Sequence, residues 1–161
     1  MKLKDILSIS GHGGLFKFVS QGRNGIIVEG IEDKKRIHAH ASAKISALED
    51  IAIYTDDEEV ALGEVFNRIY EKENGQPTIS HKSSNEELKK YFAEILPQYD
   101  EERVYVSDMK KVFNWYNILQ RNDMLIEDDE ENKNDDENVT SEEERNNDSE
   151  KESKKNDSDK E

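Results

Sequence analysis

Apolar and polar residues alternate through the first half of the chain and recur at helical spacing through the second. Leu15-Phe16-Lys17-Phe18-Val19-Ser20 and Gly25-Ile26-Ile27-Val28-Glu29-Gly30-Ile31 have the period and β-rich composition of strands, with Gln21-Gly22-Arg23-Asn24 supplying hairpin residues between them. A second turn, Glu32-Asp33-Lys34-Lys35, leads to a strand at Arg36-Ile37-His38-Ala39-His40, and two further strands are predicted at Lys44–Ser46 and Ile51–Tyr54. Five short strands at this spacing favour a small closed barrel over an open sheet with exposed edges. Before them, Leu3, Ile6 and Leu7 stand at helical spacing and predict about one and a half helical turns from Lys2 to Leu7, broken by Ser10-Gly11-His12-Gly13-Gly14.

Three helices follow. Thr55 and Glu58 have capping-box spacing ahead of Leu62, Val65, Phe66, Ile69 and Tyr70, and Asn74-Gly75 with Pro77 ends that stripe. Ser84 with Glu87 repeats the device before Leu88, Tyr91, Phe92, Ile95 and Leu96, which Pro97 terminates. The third helix is expected to start at an Ser107 N-cap, with Asp108 in its first turn. Its apolar residues, Met109, Val112, Phe113, Trp115, Tyr116, Ile118 and Leu119, cover more than one face, so the helix must be contacted from two sides. Val104-Tyr105-Val106 reads as a short strand or an extended lead-in.

The pattern stops at Leu125. Residues 126–161 hold 17 acidic and six basic residues, a net of −11, with only Ile126 and Val139 apolar. Such a segment cannot bury enough carbon to offset its ordering entropy, and a disordered acidic tail is expected. The body carries 21 acidic and 17 basic residues, a net of −4, which argues against a polycation built for nonspecific phosphate binding. With no cysteine, disulfides, thiolate metal sites and a cysteine nucleophile are excluded. No signal-like or membrane-spanning apolar run is present, and the expectation is a cytoplasmic protein with no membrane partner.

The runs LKDILSISGHGGLFKFVSQGRNGIIVEGI, SALEDIAIYT and RVYVSDMKKVFNWYNIL resemble a Bacteroidetes family of domain-of-unknown-function proteins, and the likeness extends from about Lys2 to Leu125. The resemblance implies an SH3-like barrel followed by a small helical domain, and it brings no activity or functional residue. The expected class is therefore α+β: an SH3-like barrel domain over residues 1–55, a helical domain over 56–125, and the tail over 126–161.

Candidate chemistry is sparse. The glycine loop lacks phosphate-loop spacing and leads into a strand, so a structural turn is the better account. His38 and His40 share a strand face, but no third ligand is placed beside them; neither a metal nor a cofactor is expected. Asp56-Asp57-Glu58-Glu59 fits favourable charge at a helix N-terminus. No nucleophile elbow or catalytic carboxylate pair stands out, so an enzyme ranks third and would need His38 or His40 in a pocket with carboxylates. The first reading is a non-catalytic adaptor or scaffold that recognises a protein partner through the barrel or the interdomain groove, with Trp115, Tyr116 and Tyr105 as candidate contacts. The alternative is nucleic-acid or ribonucleoprotein binding through Lys34, Lys35, Arg36, Lys110 and Lys111, with the tail competing as a tethered polyanion.

Overall fold

A computed structural model describes residues 3–125; the expected disordered tail lies outside the described residues. All of the described chain falls within one compact unit. Five antiparallel strands form the main sheet: β1 (Ile6–Ile9), β2 (Leu15–Gly22), β3 (Gly25–Gly30), β4 (Arg36–His40) and β5 (Ile45–Ala47), in the order β4-β3-β2-β1-β5. The helical turn expected over Lys2–Leu7 is replaced by β1, in which Ile6 pairs with Lys17 and Leu7 with Phe16. Two features decide it: Asp5 takes a left-handed backbone at φ 62°, which no continuing α-helix tolerates, and alternate β1 side chains bury on opposite faces.

That alternation creates two cores. Leu3, Ile6, Leu15 and Ile31 face the helices and join the large cluster. Ile9, Phe16, Val28 and Ala39 form a smaller cluster on the other face, covered by residues that include Ile37 of one edge strand and Ile45 of the other. Side chains from both edges meeting in one cluster require the sheet to curl. Among the described residues no ladder joins β4 to β5, so the architecture is a curled five-stranded sheet with helices, without the hydrogen-bonded closure expected of a barrel.

The expected fifth barrel strand pairs elsewhere. β6 (Ala52–Tyr54) forms a separate hairpin with β7 (Glu59–Ala61), and the Asp56–Glu59 acids occupy its turn and second strand rather than a helix N-terminus. Thr55 Oγ1 accepts the Glu58 N–H at 3.0 Å and donates to Glu58 O at 2.6 Å, so the capping-box spacing closes a β-turn here. The helix α1 (Leu62–Glu73) begins four residues later, and the expected domain boundary at Thr55 falls inside the hairpin.

The remaining helices follow the sequence closely. α1 ends at Asn74 and Gly75, both with positive φ; a Cβ on Gly75 would also press to 3.1 Å on the Tyr70 ring. α2 (Asn85–Ile95) starts with the expected capping box: Ser84 Oγ accepts the Glu87 N–H, and the Glu87 carboxylate accepts the Ser84 N–H. α3 (Val106–Arg121) begins one residue before the expected Ser107 cap, because Asp108 Oδ2 accepts the Tyr105 N–H at 3.1 Å and makes Tyr105 the cap; Tyr105 and Val106 form no strand. The wide apolar surface of α3 is explained by burial of Met109, Val112, Phe113, Tyr116, Ile118 and Leu119. Asn117, also buried, holds the segment between α1 and α2 through Thr78 N–H, Thr78 O and Ile79 O.

Candidate binding groove

An open cleft of about 880 Å³ runs between β1 with its following loop, β6, and the N-terminal half of α3. Its apolar lining includes Ile9, Ile51, Ile53, Val112 and the partly buried Trp115. Lys44, Arg103, Lys110 and Lys111 supply positive charge, against the single carboxylate of Asp108. In a chain of formal charge −15, four cations thus stand over hydrocarbon in one cleft.

Each wall has a local cause. The Ser10–Gly14 loop is tied down because the Ser10 N–H donates to Lys44 O at 2.9 Å, the His12 N–H to Ile9 O at 3.0 Å, and the Asn114 amide of α3 to Gly13 O at 3.1 Å. The His12 ring packs edge-on to Phe16, with centroids 5.7 Å apart. Arg103 is fixed by Asp100, 2.6 Å from its Nε, by Thr55 O, and by the Tyr54 ring 4.3 Å beneath its guanidinium. The Arg103 hydrogen bond, followed by the Glu102 N–H, holds the Asp100 carboxyl below its ordinary range, and Asp100 in turn raises Arg103. Lys111 lies 3.7 Å from Asp108. Among the described residues, Lys44 and Lys110 form no ion pair.

The structure sorts the residues expected from sequence. Lys110, Lys111 and Trp115 line the groove, and Tyr105, 64% exposed, caps the helix that forms its wall. Tyr116 does not qualify as a contact residue: it is fully buried, with its hydroxyl donating to Gln76 O at 3.2 Å. Its position on α3 points into the core because this helix is packed on two sides.

Lys34, Lys35 and Arg36 sit at the β3–β4 turn, outside the groove, and Arg36 pairs with Glu29 at 3.0 Å. That turn reaches α3 through Glu32 and Arg121, ten residues and about 15 Å along the helix from Lys111. The two basic clusters thus belong to different ends of α3 and do not merge into one face. His38 and His40 stack edge-on at 4.7 Å, with His38 Nε2 3.0 Å from Arg23 O; among the described residues no three acidic or histidine side chains gather as a metal site.

The sequence offered no comparable signal for Lys44, Arg103 or His81. Only the fold carries these three residues, distant along the chain, to one cleft.

Residues 3–48 match the family model described as Domain of unknown function (DUF5606), and residues 51–119 match Domain of unknown function (DUF6852). A solution NMR structure of a protein from Bacteroides vulgatus, from the Northeast Structural Genomics Consortium, is 51% identical, with a TM-score of 0.66 over 76% of this chain and 89% of that one. The chain belongs to this Bacteroidetes family of unknown function. No curated protein matches. The family's two segments meet at the short 3₁₀ turn Leu48–Asp50, and the groove takes Ile9 and Lys44 from the first segment and Ile53, Lys110 and Trp115 from the second. Among the described residues no helix is long and apolar enough to cross a membrane.

Proposed function

We propose that this protein is a non-catalytic, cytoplasmic adaptor whose groove holds an acidic, partly apolar segment of a protein partner. In this reading the curled sheet is an incompletely closed SH3-like barrel, and the helices supply the second wall of the binding site. The observation that carries the proposal is the pairing of Lys44, Arg103, Lys110 and Lys111 with an apolar floor that includes Ile53 and Trp115. Hydrocarbon in the floor gives an extended segment something to bury, while the cations favour carboxylates and repel basic competitors. Trp115 is the expected anchor, because a large, partly exposed aromatic in a groove offers the greatest contact area.

Nucleic-acid binding is the second reading, favoured by exposed Tyr54 against Arg103 and by exposed Tyr105 at the start of α3, aromatic surface suited to stacking beside positive charge. It ranks lower because Lys34, Lys35 and Arg36 lie apart from the groove and the body is net acidic.

The test is a tagged pull-down of the full chain from its native cells, with and without nuclease, beside a Lys110→Glu/Lys111→Glu variant. A protein partner that survives nuclease and is lost with the variant supports the adaptor. Capture abolished by nuclease transfers the assignment to nucleic acid, and capture indifferent to the variant removes the groove from either reading.

A further inference from the structure

We infer that the glycine-loop end of the groove is an oxyanion subsite, taking a carboxylate or a phosphoryl group. The inference rests on the groove's being a site for an acidic ligand and names the atoms that would hold its charge.

Three observations converge on the loop. The first is its backbone. Among the described residues, Ser10 and His12 donate their N–H groups to carbonyls, whereas Gly11 and Gly13, which line the groove, donate to none. Peptide N–H groups left without a carbonyl partner are available to an anion, by the same chemistry as the nests that bind phosphate and carboxylate. This is distinct from a phosphate loop, which would lead into a helix; here the loop leads into β2.

The second is the reason for glycine. Gly11 requires its residue type, since its φ is +87°. Gly13 and Gly14 do not: neither has a φ in the left-handed region, and a Cβ at either would meet nothing within 4 Å. Neither backbone conformation nor packing demands glycine there. At Gly13, which lines the groove, the missing side chain does provide a bare wall, on which a ligand can come within hydrogen-bonding distance of the peptide group.

The third is the placement of charge. Lys44 is tied to the loop by the Ser10 N–H bond to its carbonyl. Lys110 stands four residues before Asn114, so the two share a face of α3, and Asn114 donates to Gly13 O at 3.1 Å. Two lysines without ion-pair partners among the described residues therefore flank the loop. The groove's one carboxylate, Asp108, is engaged by the Tyr105 N–H and by Lys111, which reduces its repulsion of an incoming anion.

The experiment uses ¹⁵N-labelled full chain titrated with sodium phosphate, sodium acetate or sodium chloride at fixed pH and ionic strength. Saturable shifts of the Gly11 and Gly13 amides are expected with phosphate, acetate or both, and not with chloride. Saturation by phosphate alone assigns a phosphoryl group; saturation by acetate assigns a carboxylate. Replacing both lysines, Lys44→Ala/Lys110→Ala, should raise the apparent Kd about tenfold or more, as expected for loss of charge-assisted contacts. Lys90→Ala on α2, outside the groove, should leave it unchanged.

Glycine shifts that never saturate, that match those of Gly22 and Gly25 in the β2–β3 hairpin, or that persist unchanged in the double variant would overturn the subsite. Partner capture sensitive to Lys110→Glu but without anion binding would do the same, while leaving the adaptor reading intact. Anion binding without any captured partner would leave the subsite standing and remove the adaptor.

Discussion

Leu48→Ala should destabilise both family segments together, by about 2–5 kcal/mol, the range for a leucine deleted from a well-packed core. Leu48 is the last residue matched in the first segment, and it is fully buried in a cluster built largely from the second, which includes Leu62, Val65, Phe66 and Phe92. For a body of about 125 residues, the specific unfolding entropy is roughly 0.26 kcal/mol/K, so each kcal/mol lowers Tm by about 4 °C and the variant should melt about 8–19 °C lower. The transition should be followed by circular dichroism at 222 nm for the helices and by amide or methyl NMR signals of Val28 and Ala39 for the sheet. One coincident transition, shifted down in both probes, is the expected result. If the sheet signals were lost at the lower temperature while the helices melted at the wild-type value, the two segments would be separate folding units and the shared core would not couple them.

Two further predictions concern the interior. Burial, reinforced by Glu73, pushes the Tyr116 hydroxyl up to about 12; burial also raises Tyr91, with the Glu73 hydrogen bond adding to it, and raises Tyr99. Tyr116 stays neutral in the folded chain at a pH where the unfolded chain ionises, so its contribution is complete below about pH 10 and is lost as pH rises toward 12, at up to about 1.4 kcal/mol per pH unit. Absorbance at 295 nm, compared between the wild type and Tyr116→Phe, should show the Tyr116 ionisation only as the helical signal disappears; its appearance near pH 10 with the fold intact would contradict the burial argument. Asn117→Ala removes the partner of Thr78 N–H, Thr78 O and Ile79 O in a buried setting and should cost about 1–3 kcal/mol, with faster hydrogen exchange at Thr78. Unchanged exchange at that amide would show that the 76–84 segment is held by something else.

The elements that could be read in advance are those whose local signal has one interpretation. Ser84-x-x-Glu87 precedes an unbroken helical stripe, and Asn74-Gly75 follows one, so α2 and the end of α1 stand where the sequence puts them. Thr55-x-x-Glu58 has the same spacing, but a threonine hydroxyl bridging to the third residue closes a turn as readily as it caps a helix, and the β-prone Ile53 and Val60 on either side select the hairpin. The opening residues failed for a similar reason. Leu3, Ile6 and Leu7 satisfy a helical period over too short a run to exclude a strand, and pairing of β1 with both β2 and β5 supplies hydrogen bonds that one isolated turn of helix lacks. Closure of the sheet was unreadable altogether, because strand partners are fixed by packing between distant segments.

The groove was hidden for the same physical reason, and this bears on how the protein should be handled in the laboratory. Trp115, Lys110 and Lys111 announced themselves as an aromatic and a charge pair, yet nothing local separates Trp115 from the neighbouring Tyr116, one lining the cleft and the other closed into the core. The distinction comes from the sheet and the β6–β7 hairpin packed against α3. Either family segment expressed alone would retain only part of the lining and would expose the residues that the large cluster buries, including Leu15, Leu48 and Phe113. Fully burying side chains of this size contributes about 1.5–3 kcal/mol each, so a handful of them matches the whole stability of a typical domain. Binding competence and folding competence therefore depend on the same seam. Substitution of the partly exposed Lys110 should separate them, because it changes the charge of the groove without opening a cavity behind it.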